Sequence, residues 1–326
     1  TTGIPVGDPY DSLYDRTQTW DEYDLRNKIT LGTSFIHHAG HSNYNANMRM
    51  TTDMLTESFF NTIDGVNRLN PLIYSHGCLS AAFDKNVCIG EKMILLPNFA
   101  SAYIGNSRYG WFNEGQTEGP SAHQHREFMN ALYGFNASFL GVAHQISQLR
   151  TAAWVDLPSE YEPGAQRWVF YACNVLGDPL MGVWTDIPTS PEFDIEGEVY
   201  AGANQIQISS PEGSNSMRLS LVDKLGKLRG TINTVNLQNT LNIFPTVREP
   251  DTLYLISSGN NINPDTVSVI FEQPTDPTLV FQGFTIVGSD NQFGVSGHDI
   301  KLLLQIENVG LNTANDCKAI VSALTN

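Results

Sequence analysis

Hydrophobic and polar positions follow one pattern before about residue 188 and another after it. In the first part, short continuous apolar runs alternate with segments in which apolar residues recur every three or four positions. Continuous runs are typical of buried parallel strands, and the longer period is typical of helices. The pattern therefore predicts an α/β region. The predicted strands are 33–36, 72–74 and 100–104, and the predicted helices are 54–63, 121–134 and 138–152.

The second part alternates apolar and polar residues with a period of two, which predicts strands and no helices. Apolar sets recur there at the spacing of a β-sandwich: Ile206/Ile208, Met217/Leu219/Leu221, Leu241/Ile243, Leu253/Leu255 and Val267/Val269/Phe271. A new series begins after 273–277 and holds three further sets: Phe284/Ile286, Ile300/Leu302/Leu304/Ile306 and Ala319/Val321. Three strands cannot close a sandwich. We therefore predict an α/β domain at 1–187, a complete sandwich at 188–274 and an incomplete sandwich segment at 275–326.

Composition excludes several classes of partner. The chain has 18 Lys+Arg and 34 Asp+Glu, a net charge of −16, which would repel the phosphates of a nucleic acid and the headgroups of an anionic membrane. No apolar run reaches the roughly 18 residues that a membrane helix needs, and no signal peptide opens the chain. The four cysteines are too few and too widely spread for a disulfide framework. The low content of charged residues, together with many Gly, Asn, Ser and Thr residues, favours an extracellular protein.

Candidate chemistry follows the ends of the three predicted strands, where open parallel sheets collect catalytic groups. The segments there are HHAGHSN at 37–43, SHGC at 75–78 and GNSRYGW at 105–111. A cysteine and a histidine on neighbouring loops suit a thiol nucleophile and its base, because a nearby imidazolium favours the reactive thiolate. Gly40 and Gly77 would let a substrate backbone approach and let main-chain N–H groups face an oxyanion.

Two alternatives compete with this interpretation. A cysteine after a buried strand is commonly a small core residue, and this is the role expected for Cys88 and Cys173. A metal site would use His37 with His41, or His123 with His125. The first two are four residues apart, and an extended segment of that length spans about 13 Å, too far for one ion. We therefore predict no metal site, and expect the second pair to be solvated at a helix start. Supporting roles near strand ends are expected for three histidines: His37, His38 and His76.

The order of these motifs resembles a known family. FIHHAGH at 35–41 and PLIYSHGC at 71–78 resemble the His and Cys motifs of gingipain-type cysteine peptidases, which are extracellular bacterial enzymes with a caspase-like α/β fold. The likeness continues through VCIGE at 87–91, where the family also has a Cys and a Glu opening a helix. It extends to the loop ending at Trp111 and to VLGDPL at 175–180. In this family an immunoglobulin-like sandwich follows, which implies that fold for 188–274.

The resemblance also implies roles for single residues. His41 would be the general base and acid, and Cys78 the nucleophile that forms an acyl-enzyme. The main-chain N–H of Cys78 and the turn at 40–42 would hold the oxyanion, with Gly40, Ser42 and Gly77 shaping that site. The loop after the third strand would line the substrate pocket through Ser107, Arg108 and Trp111. Asp178 lies in a turn sequence and is expected to be structural.

Two departures from the family pattern affect the site. The family usually has Gly after the catalytic His and Ala before the Cys, where this chain has Ser42 and Gly77. The family also carries about half of its sheet, with an acid that orients the His, before the His motif. Only 40 residues precede His41 here, so we expect Thr1 to mark a processing site and another chain of the same precursor to complete the fold.

The sequence therefore predicts a secreted cysteine endopeptidase that acts on protein or peptide substrates through Cys78 and His41. No cofactor is required for this chemistry, and a structural calcium ion is the one ligand that the resemblance allows. Nucleic acid and a membrane span are not expected. The alternative is a catalytically inactive, peptidase-like surface protein whose β-sandwiches serve in binding or adhesion.

Overall fold

The apolar runs of the first part form one four-stranded sheet in a computed structural model, which describes residues 4, 7–60, 63, 70–212, 216–235, 237–287 and 301–320. The chain divides into two units, Thr1–Thr185 and Asp186–Asn326. Strands of the first unit are β1 (Phe35–His38), β2 (Ala46–Asn47), β3 (Met50–Thr51), β4 (Leu72–Ser75), β5 (Ala102–Asn106) and β6 (Cys173–Leu176). Its helices are α1 (Glu22–Thr30), α2 (Ile89–Leu95), α3 (Pro120–Gly134), α4 (Leu140–Thr151) and α5 (Ala165–Ala172).

The sheet has the order β1-β4-β5-β6, with the first three strands parallel and β6 antiparallel to β5. Successive residues of a strand face opposite sides. Ile73 and Tyr103 accordingly enter the core that contains α1 and α2, whereas Tyr74 and Ile104 enter the core that contains α3, α4 and α5. Because both faces are covered, the parallel strands are mainly apolar, and polar residues stand at their carboxyl ends: His37, His38, Ser75 and Asn106. The predicted α/β class is confirmed.

Two of the three predicted helices are confirmed, as is the turn at Asp178. The two long helices correspond to α3 and α4, within a few residues at each end. At the start of α2, the Glu91 carboxylate accepts a hydrogen bond of 2.8 Å from the main-chain N–H of Cys88, so the Cys–Glu pair opens this helix. Asp178 accepts a hydrogen bond from the N–H of Leu180 at 2.8 Å, which is the structural turn expected there.

The helix predicted over 54–63 is wrong. The segment forms a single 3₁₀ turn at Glu57–Phe60, and residues 61 and 62 lie outside the described residues. The amide of Asn98 donates hydrogen bonds to the carbonyls of Glu57 at 2.7 Å and Phe60 at 3.0 Å, which ties this turn to the segment after α2. Leu55, Phe60 and Ile63 are nevertheless buried, so the apolar spacing reflected a core-facing loop.

A partly buried histidine on α4 is expected to make the first unit sensitive to acid. His144 is held away from water, and burial lowers its pKa from 6.5 to about 4. The unfolded chain therefore takes up this proton first as the pH falls. The stability that the neutral ring contributes is fully present above pH 6.5 and is lost as the pH falls through about 4. We expect His144→Gln to reduce the pH dependence of the unfolding free energy by at most about 1.4 kcal/mol per pH unit in this window.

The measurement is urea unfolding between pH 7.5 and 4.5, followed by tryptophan fluorescence, because all five Trp residues lie before residue 185. Gln145→Ala, at an exposed neighbouring position, is the control and should keep the wild-type pH dependence. An unchanged pH dependence in His144→Gln would show that this ring does not titrate as argued.

The described residues of the second unit form strands and no helices. The strands are β7 (Asp194–Ile195), β8 (Val199–Tyr200), β9 (Gln205–Ser209), β10 (Arg218–Val222), β11 (Leu228–Asn233), β12 (Gln238–Asn242), β13 (Asp251–Gly259), β14 (Ile262–Glu272), β15 (Leu279–Val287) and β16 (Lys301–Asn308). A five-stranded sheet of order β11-β10-β13-β14-β8 and a three-stranded sheet of order β12-β9-β7 share one core. The alternating sets supply that core, with the exception of Val267, which is partly exposed. The immunoglobulin-like assignment of this sandwich stays a prediction.

The last predicted series forms a hairpin and no third strand within the described residues. β15 and β16 pair antiparallel with a register shift between Phe281 and Gly283. Ala319 belongs to no strand, while Ile300 and Val321 lie outside the described residues. The predicted domain boundaries at 187/188 and 274/275 stay predictions. The two units of the structure are divided at 185/186. Within the described ranges, no helix is both long enough and apolar enough to cross a membrane.

Candidate active site

The loops that follow β1, β4 and β5 meet at one edge of the sheet. These strands are parallel neighbours, so their carboxyl ends lie side by side. The N–H of His76 donates to the carbonyl of His38 at 2.9 Å, which joins the first two loops. The N–H of Leu79 donates to the carbonyl of Arg108 at 2.8 Å, which joins the second and third. The three loops predicted to carry the chemistry are therefore joined to one another by main-chain hydrogen bonds.

Cys78 lies in the second of these loops and is partly exposed. Its Sγ lies 3.7 Å from the carbonyl oxygen of Gly110. Cys88 and Cys173 are buried in the core, as predicted, and burial raises the pKa of each thiol to about 11. Both therefore stay protonated and inert at neutral pH. Within the described part of the first unit, Cys78 is the thiol that a substrate can reach.

Asn106 holds the Cys78 loop in place. This buried residue at the end of β5 donates from Nδ2 to the carbonyls of His76 at 3.1 Å and Gly77 at 3.3 Å. Two consecutive carbonyls before Cys78 are thus bound by one side chain. Asn106 is not among the residues predicted for the site, although an amide directly after a buried apolar run was a signal, because a buried polar side chain must find partners.

Ser42 connects the His41 loop to the Cys78 loop. Its hydroxyl donates a hydrogen bond of 2.7 Å to the carbonyl of Cys78. A Cβ at position 77 would lie 2.0 Å from Ser42 Oγ and 2.7 Å from Ser42 Cβ. The side chain of Ser42 therefore fills the space that the missing side chain of Gly77 leaves open. The structure accordingly places both departures from the family pattern in direct contact.

His41 is exposed at the same edge, and within the described residues no carboxylate is hydrogen bonded to its ring. Among the described hydrogen bonds, none is donated by the main-chain N–H of Cys78 or of Ser42. The role of these two N–H groups in holding an oxyanion stays a prediction. A Cβ at Gly40 would lie 2.7 Å from His38 Nε2, so the turn packs closely on that ring.

His38 supports the Cys78 loop from the face of the sheet that carries α1 and α2. Its Nδ1 is 2.9 Å from the hydroxyl of Ser75, which also accepts hydrogen bonds from the N–H of Gly77 at 3.1 Å and from Asn47 Nδ2 at 3.2 Å. Burial lowers the pKa of His38 to about 4, and the nearby rings of His37 and His41 add to the shift. His38 is therefore a neutral hydrogen-bonding residue at pH 7.

The opposite face carries an unexpected group of histidines. His37 and His76 meet His125 of α3 there, so the expectation that His125 is solvated is wrong. The reason is helical spacing: His125, Phe128 and Leu132 share the face of α3 that packs on the sheet. His123 is buried as well, where it contacts Trp154 and Arg126.

The residues predicted to line the pocket have separate environments. Trp111 packs partly against the core of α3 and against Tyr109. Arg108 is exposed and donates from both terminal nitrogens to Asp84, at 3.0 and 3.2 Å, so its charge is already paired. Ser107 is buried, and its hydroxyl donates to the carbonyl of Ala172 at 3.2 Å. Their roles in a substrate pocket stay predictions.

Comparison with protein families decides the affiliation. The model of peptidase family C25 matches residues 6–184, more than half of the chain. The chain belongs to peptidase family C25. The match ends one residue before the boundary of the first unit, so the C25 region is the α/β unit. No curated protein sequence matches the chain.

Solved structures agree on the fold of this C25 member. A crystal structure of the Arg-specific cysteine proteinase gingipain R (RgpB) matches with a TM-score of 0.61 and 17% identity, covering 77% of this chain and 56% of that chain. The complex of Porphyromonas gingivalis RgpB pro- and mature domains matches with a TM-score of 0.60 and 17% identity, covering 77% and 57%. The chain thus spans little more than half of these structures. The gingipain resemblance and the caspase-like fold are confirmed.

Proposed function

We propose that the chain is a cysteine endopeptidase in which Cys78 is the nucleophile and His41 the general base and acid. The observation that carries the proposal is the joining of their loops: Ser42, next to His41, donates its 2.7 Å hydrogen bond to the carbonyl of Cys78. This contact lies at the edge of a gingipain-like sheet where catalytic groups collect. Membership of peptidase family C25 supports the reaction class.

In the proposed mechanism, the imidazole of His41 takes the thiol proton of Cys78, and Sγ attacks the carbonyl carbon of the scissile bond. The negative oxygen that forms is held by the free N–H groups of Cys78 and of the 40–42 turn. The C–N bond then breaks as His41 returns the proton to the leaving amine. A water molecule, deprotonated by His41, hydrolyses the resulting thioester and regenerates the thiol.

The proposed setting is extracellular, with protein or peptide substrates and a companion chain. The complex of RgpB pro- and mature domains supports a companion. Among the described strands, β1 is an edge of the four-stranded sheet, so a strand from another chain can pair with it. The chemistry requires no cofactor in this proposal, and a structural calcium ion stays an untested expectation.

Thiol alkylation of the full chain tests the proposal. Iodoacetamide should abolish hydrolysis of a denatured protein substrate in step with the formation of one adduct on Cys78, followed by mass spectrometry. Cys88 and Cys173 should stay unmodified because they are buried and protonated. Cys317 is exposed and will also react, so the experiment is repeated with Cys317→Ser, which should behave identically.

Two outcomes would contradict the proposal. One is peptidase activity that survives complete alkylation of Cys78. The other is a folded chain, with its companion supplied, that shows no hydrolysis in the parent form; that result would favour the inactive, adhesive surface protein.

A further inference from the structure

Three histidines on three different elements bring their rings together on the α3 face of the sheet. They are His37 on β1, His76 directly after β4 and His125 on α3, and we call them the histidine cluster. One ring nitrogen from each lies within 4.8 Å of the other two. His37 Nε2 and His76 Nε2 are 3.0 Å apart, and the rings of His37 and His125 stack with centroids 3.9 Å apart.

The cluster leaves one ring nitrogen without a protein partner. Nε2 of His125 is buried and makes no hydrogen bond within the described residues. A buried ring nitrogen without a partner is costly, and it is unusual in a native fold. Nε2 of His37 and Nε2 of His76 form a hydrogen bond of 3.0 Å in which one neutral ring donates and the other accepts, and a metal ion can take the place of the shared proton.

We propose that the histidine cluster binds one Zn²⁺ ion through a ring nitrogen of each histidine. Zinc–nitrogen distances of about 2.0–2.1 Å in a tetrahedron require nitrogens about 3.3 Å apart, which small side-chain movements reach from the present separations. The donors are all imidazoles, which suit Zn²⁺ and not the oxygen-seeking Ca²⁺ or Mg²⁺. A water molecule would complete the tetrahedron.

The ion would serve as a clamp at the base of the Cys78 loop. His76 lies two residues before Cys78, and its carbonyl is already bound by Asn106. A zinc ion bound by the histidine cluster would connect the side chain of His76 to β1 and α3. The site does not include Cys78 or His41, so zinc binding does not depend on peptidase activity.

The test uses the otherwise full chain with Cys78→Ala and Cys317→Ser, which removes the two accessible thiols as competing ligands. After treatment with a chelator, the chain is titrated with Co²⁺ and then with Zn²⁺. We expect one equivalent of Co²⁺ to give the visible absorption of a four-coordinate ion, without a sulfur-to-cobalt band, and Zn²⁺ to displace it. Zinc at about 100 times its Kd should raise the Tm of the first unit by roughly 5–10 °C.

Variants on two different elements locate the ion. His125→Gln and His37→Gln should each weaken Zn²⁺ binding by about 100-fold or more, while far-UV circular dichroism shows that the fold is kept. His123→Gln is the matched control on α3, and it should bind Zn²⁺ like the parent. The proposal fails if the parent shows no stoichiometric four-coordinate Co²⁺ spectrum. It also fails if either cluster variant binds as tightly as the control.

Discussion

Cys78→Ala is expected to reduce kcat for peptide hydrolysis to the background rate, a loss on the order of 10⁴- to 10⁶-fold. The thiol provides the attacking atom, and no other thiol of the described first unit is accessible. His41→Ala should be nearly as severe, because a thiol without its base attacks slowly. The double variant should be no worse than Cys78→Ala alone, since the two residues act in one step.

The measurement is kcat and KM on a peptide-library substrate, with each variant shown to be folded by thermal unfolding. Cys317→Ser is the control, because it removes an exposed thiol from the second unit and should leave both constants unchanged. Losses that simply multiply in the double variant would argue that Cys78 and His41 do not work together.

Gly77→Ala is expected to lower kcat/KM by about 100-fold, through a clash that involves no reacting atom. The new Cβ would lie 2.0 Å from Ser42 Oγ and 2.7 Å from Ser42 Cβ. Rotating the hydroxyl away cannot relieve the second contact, so the backbone that carries His41 must move. Displacing a catalytic group by about 1 Å can cost a factor of this size.

Ser42→Gly should rescue Gly77→Ala. Alone, Ser42→Gly loses the hydrogen bond to the carbonyl of Cys78, which should lower the free energy of unfolding by about 1 kcal/mol. In the double variant it makes room for the alanine, so kcat/KM should recover to near the Ser42→Gly level, with a coupling energy of about 2–3 kcal/mol. The double variant also carries the Gly and Ala that gingipain-type enzymes usually have at these positions.

Gly182→Ala is the control for adding a methyl group, because a Cβ there has open space and activity should not change. Additive effects of Gly77→Ala and Ser42→Gly would contradict the interpretation that one side chain fills the space of the other.

The edge of the sheet that carries the candidate site was predictable, because it depends on local patterns. Apolar runs gave the positions of β1, β4 and β5, and parallel pairing then brought the ends of those runs together. The same reasoning failed over 54–63, where apolar residues at helical spacing belong to a loop that Asn98 ties to the segment after α2. The spacing of apolar residues indicates which of them are buried, whereas hydrogen bonds to distant residues determine the backbone conformation.

Contacts between residues far apart in sequence were not predictable. His125 was interpreted as part of a solvated pair, because nothing near it in the sequence indicates that α3 packs this face against His37 and His76. The reciprocal fit of Ser42 and Gly77 was likewise visible only as two separate departures from a family pattern. Both contacts depend on the three-dimensional arrangement of loops and helices, which the sequence alone does not reveal.

The amide of Asn106 has an electrostatic consequence for the neighbouring loop. The carbonyl of Gly77 and the N–H of Cys78 belong to one planar trans peptide group, in which they point in opposite directions. Because Asn106 holds that carbonyl, the negative end of the peptide dipole is turned toward β5, and the positive N–H end is turned away from it. If the N–H of Cys78 is an oxyanion donor, as proposed, Asn106 orients it before the reaction begins, so no reorientation of this peptide is needed as charge develops.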